Sequence, residues 1–199
     1  IALIGLLDVP KENAQQVIDY FNNQQIDTSM ITGDNQGTAA AIAEKIGVQH
    51  LLANCTPSDK THYAQQQKEK YAVTAMVGDG VNDAPALATA SLGVAMGQGT
   101  DVAMEIADIV LVKNDLQKLS YAHRLSLRMK KIIKQNIIFS LTVICLLILS
   151  NFLQFLNLPL GVIGHEGSTI LVILNGLRLL KPLPEDTSKK SRCTGCPLQ

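Results

Sequence analysis

The sequence predicts an α/β domain, a parallel sheet with helices on both faces, followed by a two-helix transmembrane hairpin. Two observations lead to this prediction. In the first 119 of the 199 residues, short apolar runs alternate with amphipathic helical patterns, as in parallel-sheet folds. Residues 135–177 then contain a single charged side chain, Glu166, over a stretch long enough for two membrane crossings.

Charge separates the same two halves. The chain has 17 basic and 17 acidic residues, and this zero balance predicts no nucleic-acid partner. Residues 1–119 hold 14 acids and 7 bases, whereas residues 120–199 hold 3 acids and 10 bases. The neutral total is therefore the sum of an acidic half and a basic half.

Each element of the first half has a local signal. Pro10 suits the first turn of a helix, and the apolar positions that follow it have helical spacing. Gly47 ends the next apolar stripe in a C′ role, and Pro57-Ser58-Asp59 opens a polar helix. The predicted strands are residues 1–7, 28–31, 72–77, 92–95 and 109–112, and the predicted helices are a helix from residue 10 and helices over residues 39–46, 58–70, 84–90 and 102–107.

The second half begins as a helix and continues into the apolar region. Asn114-Asp115 is a predicted N-cap, and no helix breaker separates Leu116 from the first span. The turn-forming residues 157–161 divide the apolar region into predicted spans over residues 137–155 and 162–180. A continuous helix would couple movement of the first half to the membrane.

Basic residues flank the predicted hairpin on both sides. Lys130, Lys131 and Lys134 precede the first span, and Arg178 and Lys181 close the second. The excess of positive charge at both outer ends predicts cytoplasmic termini in a multi-pass protein of the cell membrane. The alternative is a buried helical hairpin in a soluble protein, but such a hairpin normally carries a polar stripe.

Three short motifs at strand ends carry the chemistry. Thr32-Gly33-Asp34-Asn35 offers a hydroxyl and a backbone amide to phosphate oxygens, and Pro57-Ser58-Asp59-Lys60 supplies a cation. Gly78-Asp79-Gly80-Val81-Asn82-Asp83-Ala84-Pro85 combines two acids that suit a hard cation with a helix start that suits an anion. Each motif alone also fits an ordinary turn or a solvated lysine. Together, in this order, they predict a Mg²⁺-assisted phosphoryl site.

These motifs resemble those of the P-type cation-transporting ATPases, whose phosphorylation domain has the haloacid dehalogenase-like fold. The resemblance covers residues 1–181. It implies that Thr32 and Gly33, in the motif with Asp34, hold the phosphoryl group and that Lys60 neutralises its charge. It further implies the Mg²⁺ cofactor, with Asp79 as ligand and Asn82 and Asp83 as support, and ATP bound mainly by an upstream domain.

The chain departs from this family in lacking the Asp-Lys-Thr-Gly-Thr sequence of the nucleophile. The nearest sequence, Ser58-Asp59-Lys60-Thr61-His62, lies in the Pro-x-Asp-Lys position, so Asp59 is not the predicted nucleophile. The chain also opens at Ile1 inside an apolar run, without a signal peptide. We therefore expect a carboxy-terminal piece of a longer ATPase, inactive by itself and partnered by the upstream remainder.

The second predicted span contains His165-Glu166-Gly167-Ser168-Thr169. Ionisable groups are costly inside a membrane, and helical spacing places His165 and Thr169 on one face. Imidazole, carboxylate and hydroxyl ligands favour a divalent ion such as Zn²⁺, Co²⁺ or Fe²⁺ over Cu⁺. The alternative is that His165 and Glu166 only satisfy each other near the outer surface.

This segment resembles the heavy-metal, or type IB, subgroup. Its cobalt-, zinc- and iron-exporting branch carries His-Glu-Gly-(Gly/Ser)-Thr in the last membrane helix, followed by Asn and Leu-Arg-Leu-Leu. Asn175 and Leu177-Arg178-Leu179-Leu180 match that continuation. The resemblance implies export of a Zn-, Co-, Fe(II)- or Cd-type ion through His165, Glu166, Ser168 and Thr169, completed by a Ser-Pro-Cys that this chain lacks.

Two other functions stay open. A membrane-tethered phosphatase of the same fold would need a nucleophile at the first strand end, where Asp8 is followed by an unsuitable Val9-Pro10-Lys11. A truncated, non-catalytic membrane protein that binds metal or a partner subunit is the other alternative. Cys193-Thr194-Gly195-Cys196 fits either an unstructured tail or a metal-sensing site. The predicted divisions are the phosphorylation domain (1–115), a connecting helix (116–136), the two spans (137–180) and a cytoplasmic tail (181–199).

Overall fold

The computed structural model describes residues 13–78, 81–97, 101–111, 115–154 and 157–183. The chain divides into two compact units, residues 1–121 and 122–199. The elements in order are α1 (Ala14–Asn23), β1 (Ser29–Ile31), α2 (Gln36–Ile46), β2 (His50–Leu52), α3 (Pro57–Lys70), β3 (Ala75–Gly78), a 3₁₀ turn (Val81–Asp83), α4 (Ala84–Thr89), β4 (Leu92–Met96), α5 (Asp101–Ile106), β5 (Ile109–Leu111), α6 (Gln117–Phe152), α7 (Leu158–Gly176) and a final 3₁₀ turn (Leu177–Leu180).

All described strand pairs are parallel, which confirms the predicted sheet type. β1 pairs with β2, placing Ser29 opposite His50, and β3, β4 and β5 pair in that order. Within the described ranges the strands therefore form one two-stranded and one three-stranded group. The predicted strand over residues 1–7 lies outside those ranges.

The core of the first unit centres on β4. Val94 and Ala95 are completely buried, and Leu87 of α4 packs against Ala95 at 2% exposure. A Cβ at Gly93 would lie 2.9 Å from the Leu87 carbonyl oxygen, so glycine there lets α4 approach the sheet. This packing fixes the end of β3 and the start of α4, and the third motif lies between them.

Local signals predicted most elements of the first unit correctly. Gly47 has φ +76° at the end of α2, the left-handed conformation that glycine adopts without strain. Asp115 accepts a hydrogen bond from the Gln117 amide at 2.9 Å, as expected of a residue that caps the start of α6. The strand β2 was not predicted, because three residues beginning with a polar histidine show no strand pattern of their own.

The predicted turn over residues 157–161 is wrong in its extent. Only Asn157 precedes the helix, and Leu158, Pro159 and Gly161 already belong to α7. Proline fits the first turn of a helix because the amide it lacks has no intrahelical acceptor there.

α6 is the one helix of the described residues that is long and apolar enough to cross a membrane by length and composition. It continues without interruption from Gln117 to Phe152, as the sequence predicted. Crossing by α7 remains a prediction.

Candidate functional site

The first predicted motif forms a hydrogen-bonded loop directly after β1. The Thr32 hydroxyl donates to Asp34 Oδ2 at 2.7 Å and accepts from the Asp34 amide at 3.1 Å. Asn35 accepts from the Thr38 amide at 3.0 Å and thereby caps α2. The motif thus folds into a turn that leads straight into a helix start.

Strand β2 holds this loop from the neighbouring side. The Thr32 amide donates to the Leu52 carbonyl and the Cys55 amide donates to the Thr32 carbonyl, both at 2.9 Å. A Cβ at Gly33 would lie 3.4 Å from the Cys55 carbonyl oxygen, at the edge of ordinary contact. The loop is therefore held through its backbone, and Gly33 itself is exposed.

The second motif starts α3 through a capping box. The Thr56 side chain accepts from the Asp59 amide at 3.3 Å, while Asp59 Oδ2 accepts from the Thr56 amide at 2.9 Å. Hydrogen bonds from the hydroxyl and the amide of Thr56 lower the pKa of the Asp59 carboxyl. Asp59 thus serves the fold as the partner of the helix cap.

The second and third motifs meet through an ion pair. Lys60 Nζ lies 2.8 Å from Asp83 Oδ1, and the two side chains are only 18% and 13% exposed. Lys60 lies in the first turns of α3, and Asp83 lies at the junction of the 3₁₀ turn with α4. The fold thus places a fixed ammonium group and a fixed carboxylate at the carboxyl end of β3.

Gly78 makes this arrangement possible. A Cβ on Gly78 would lie 2.8 Å from the Asp83 Cβ, closer than side-chain atoms approach in folded proteins. The glycine at the end of β3 therefore lets the chain fold back so that Asp83 lies against the strand end. Pro85 then occupies the first turn of α4.

The donor chemistry around the ion pair suits Mg²⁺. The Asp83 carboxylate and the Asn82 amide offer hard oxygen ligands, which are those that Mg²⁺ prefers. Asp79, the predicted principal ligand, lies outside the described residues. The chemistry of these two donors is compatible with Mg²⁺, and Mg²⁺ binding at this site stays a prediction.

The predicted cation ligands all lie on α7. The Ser168 and Thr169 hydroxyls both donate to the His165 carbonyl, at 2.7 and 3.3 Å, so Thr169 shares a face with His165. His165 Nδ1 lies 3.4 Å from Glu166 Oε1, and these two side chains are 67% and 69% exposed. The helix brings these four residues together along one short segment.

They do not form a closed site. Across the described ranges, no group of three or more histidine, cysteine or acidic side chains is positioned to hold a metal ion. Completion of the site by ligands from another helix stays a prediction.

Sequence reasoning missed two contributors to the site. The role of Thr56 was detectable, because Thr56-x-x-Asp59 at a helix start is a capping-box pattern. The pairing of Lys60 with Asp83 was not detectable, because the two residues are 23 positions apart and meet only through the fold.

Known proteins match the chain over nearly its whole length. A family model described as haloacid dehalogenase-like hydrolase matches residues 1–91. A zinc-transporting ATPase of Bacillus subtilis (strain 168) is 58% identical over 178 residues, which is 89% of this chain and 28% of that protein. A probable cadmium-transporting ATPase of Listeria monocytogenes is 44% identical, covering 91% of this chain and 26% of that protein.

A solved structure agrees with these sequence relatives. The crystal structure of a zinc-transporting PIB-type ATPase in its E2.Pi state superposes with a TM-score of 0.82 at 37% identity, covering 88% of this chain and 29% of that one. The chain thus spans just over a quarter of the length of the relatives it matches. By sequence and by fold, the chain is similar to heavy-metal P-type ATPases over most of its length, and its first unit has a haloacid dehalogenase-like fold.

Proposed function

We propose that this chain is part of an ATP-driven exporter of a divalent transition-metal cation that works through an aspartyl-phosphate intermediate. The observation that carries the proposal is the pairing of Lys60 with Asp83 beside the end of β3. A positive group and a carboxylate held at one strand end are what phosphoryl transfer requires for charge neutralisation and metal binding. The nucleophilic aspartate would lie upstream of Ile1.

The loop after β1 would bind the phosphoryl group. The Gly33 backbone amide and the Thr32 hydroxyl are the donors, and the exposure of Gly33 leaves room for phosphate oxygens. The Thr32 hydroxyl now donates to Asp34, so binding would redirect this proton from the carboxylate to a phosphoryl oxygen. Asp34 would accept the hydrogen bond from the Thr32 hydroxyl again when phosphate leaves.

Lys60 would neutralise charge on the transferred group. To do so, its ammonium group would exchange part of its interaction with Asp83 for the phosphoryl oxygens. Asp79, Asn82 and Asp83 would hold Mg²⁺, which when bound supplies positive charge beside the phosphoryl group. ATP itself would be bound mainly by an upstream domain.

The segment on α7 would bind the exported ion. An imidazole, a carboxylate and two hydroxyls match Zn²⁺, Co²⁺, Fe²⁺ or Cd²⁺ better than Cu⁺, which prefers sulfur ligands. The side chains of His165 and Glu166 are exposed, so they could bind an ion together with ligands from another helix. The names of the zinc- and cadmium-transporting relatives support the same class of ion.

The proposal includes the membrane arrangement. α6 and α7 would each cross the bilayer, with both ends of the chain in the cytoplasm. The predicted boundaries are a phosphorylation domain over 1–115, a connecting helix over 116–136, spans within 137–180 and a tail over 181–199. The six lysines and arginines of α6, all between Lys118 and Lys134, support a cytoplasmic position for its first turns.

The decisive experiment uses the intact protein in membranes and varies the metal. Its ATPase should be stimulated by Zn²⁺, Co²⁺, Fe²⁺ or Cd²⁺, and Lys60→Met should lower the stimulated rate about 100-fold or more. Lys68→Met is the matched control, because Lys68 lies on the same helix, away from the ion pair, and should leave the rate within about twofold. Stimulation by Cu⁺ alone would contradict the proposed ion class.

A second experiment tests whether the nucleophilic aspartate lies outside residues 1–199. Residues 1–199 alone are expected neither to hydrolyse ATP nor to form an acyl phosphate, since the Asp-Lys-Thr-Gly-Thr sequence is absent. Incubation with labelled ATP and Mg²⁺, followed by acid precipitation, measures this directly. A metal-dependent phosphoenzyme on this chain would refute the assignment of the nucleophile to an upstream segment.

A further inference from the structure

Polar side chains join α6 and α7 near one end of their contact. Asn175 of α7 donates from Nδ2 to Asn136 Oδ1 of α6 at 2.8 Å. Asn136 Nδ2 in turn lies 3.5 Å from the Val172 carbonyl oxygen of α7. The two hydrogen bonds are partly buried, between helices whose other side chains are mainly apolar.

Two arginines extend this network to the end of the hairpin. Arg178 donates to Asn175 Oδ1 at 2.9 Å, which orients the amide whose nitrogen reaches Asn136. Arg128 of α6 donates to the carbonyls of Arg178 and Lys181, the latter at 2.8 Å. Carbonyls at a helix end lack intrahelical partners, so Arg128 satisfies groups that would otherwise need water.

A second close contact lies nearer the start of α7. A Cβ at Gly164 would be 3.1 Å from Leu147 Cδ2, so glycine lets the helices approach there. The candidate ion ligands begin at the next residue, His165, about 15 Å along the helix from Asn175. The ligand segment therefore lies between an apolar contact that tolerates sliding and a polar network that does not.

The polar network can determine the position of α7 because its bonds are directional. A shift of α7 by one residue turns its side chains by about 100° and would separate Asn175 from Asn136. Because both hydrogen bonds are partly buried between the helices, a displaced amide loses its partner at a cost in free energy. By contrast, leucine against glycine can repack at low cost after a small slide.

We propose that Asn136 and Asn175 are positioning residues that set the register and rotation of α7 against α6 and thereby aim His165 and Glu166. The role of the ligand segment rests on the proposed function, whereas the register claim does not. Neither asparagine touches the ion ligands, so both act at a distance through the helix. Arg128 and Arg178 support the pair by orienting Asn175 and capping the helix end.

The register claim is tested by cross-linking in the full chain, in lipid, with its four native cysteines replaced by serine. Leu147→Cys and Gly164→Cys introduce thiols on either side of the close contact, and a short bifunctional thiol reagent joins them. Asn136→Leu should lower the cross-linking yield by about half or more. Thr142→Val is the matched control, because the Thr142 hydroxyl bonds to the Ile138 carbonyl of its own helix, at 2.8 Å. An unchanged yield for Asn136→Leu would overturn the inference.

The consequence for the ion is tested in the intact protein. Asn136→Leu and Asn175→Leu should each raise the metal concentration for half-maximal ATPase about threefold to tenfold, with the maximal rate within about twofold. The effect of the double variant should be smaller than the sum of the two single effects, because both remove the hydrogen bond between Asn136 and Asn175. Thr142→Val should leave the metal dependence unchanged.

The two experiments separate the inference from the proposed function. A fall in cross-linking together with the shift in metal dependence supports the inference. A fall in cross-linking without that shift contradicts the claim that register aims the ion ligands. His165→Ala tests the proposed function separately, because an unchanged metal dependence in that variant would remove α7 from ion binding whatever the cross-linking result.

Discussion

The two units of this chain bury their apolar side chains in different ways. In the described part of the first unit, eight of the thirteen buried hydrophobic residues are alanines, and the others include Leu87, Val94 and Met96. In the described part of the second unit, Ile132 is the one buried residue, at 4% exposure. Large side chains such as Ile137 are more than half exposed there.

This difference shows which interactions define each unit. The first unit is stabilised by its own core, in which small side chains and glycines let helices and strands approach each other closely. The second unit presents an apolar surface, and its specific contacts are few and polar. In lipid an exposed leucine costs nothing, whereas an amide without a partner does, so the polar contacts determine how the helices fit together.

The largest effect should come from removing the same side chain in the two units. Leu87→Ala is expected to lower the free energy of unfolding of the first unit by about 2–5 kcal/mol, because a cavity forms against Ala95. Leu149→Ala, at a position 57% exposed on α6, should change stability by well under about 1 kcal/mol in lipid. Hydrogen exchange of the β4 and α6 amides in lipid nanodiscs measures both, and equal losses would contradict the difference between the units.

A smaller effect should come from adding one methyl group to a glycine in each unit. Gly78→Ala is expected to cost about 1–3 kcal/mol and to lower metal-stimulated ATPase, because the new Cβ displaces Asp83. Gly176→Ala meets nothing within 4 Å and should be neutral or slightly stabilising. Thermal melting and ATPase of both variants provide the comparison. A fully active Gly78→Ala protein would show that Asp83 does not need its position against the strand end.

The smallest effect concerns the capping box of α3. Because the folded-state pKa of Asp59 is lowered, its carboxylate stabilises the fold above the unfolded-state pKa of about 3.9. This contribution should disappear as pH falls through the lower folded-state pKa. The advantage of the natural chain over Asp59→Asn, measured as protection of the first amides of α3 from exchange, should therefore be full at neutral pH and vanish in acid. An advantage independent of pH would rule out the charged carboxylate as its source.

Local sequence patterns were sufficient for most of the elements. Apolar spacing predicted α1 and α2, Gly47 predicted the end of α2, and Asp115 predicted the start of α6. These signals act within a few residues, where hydrogen bonding and side-chain packing depend on the sequence alone. The order of the three motifs also predicted the resemblance to P-type ATPases, because this order can be read along the chain without knowledge of the packing.

The contacts that build the sites were decided by the tertiary structure. Strand β2 exists because residues 50–52 find partners on β1, and not because three residues have a strand pattern. Lys60 meets Asp83, and Asn136 meets Asn175 across 39 positions, only after helices have packed. Sequence by itself determined which chemical groups are present and where most helices and strands lie. Which of those groups touch was decided by the fold, because directional bonds between distant residues form only once the backbone positions them.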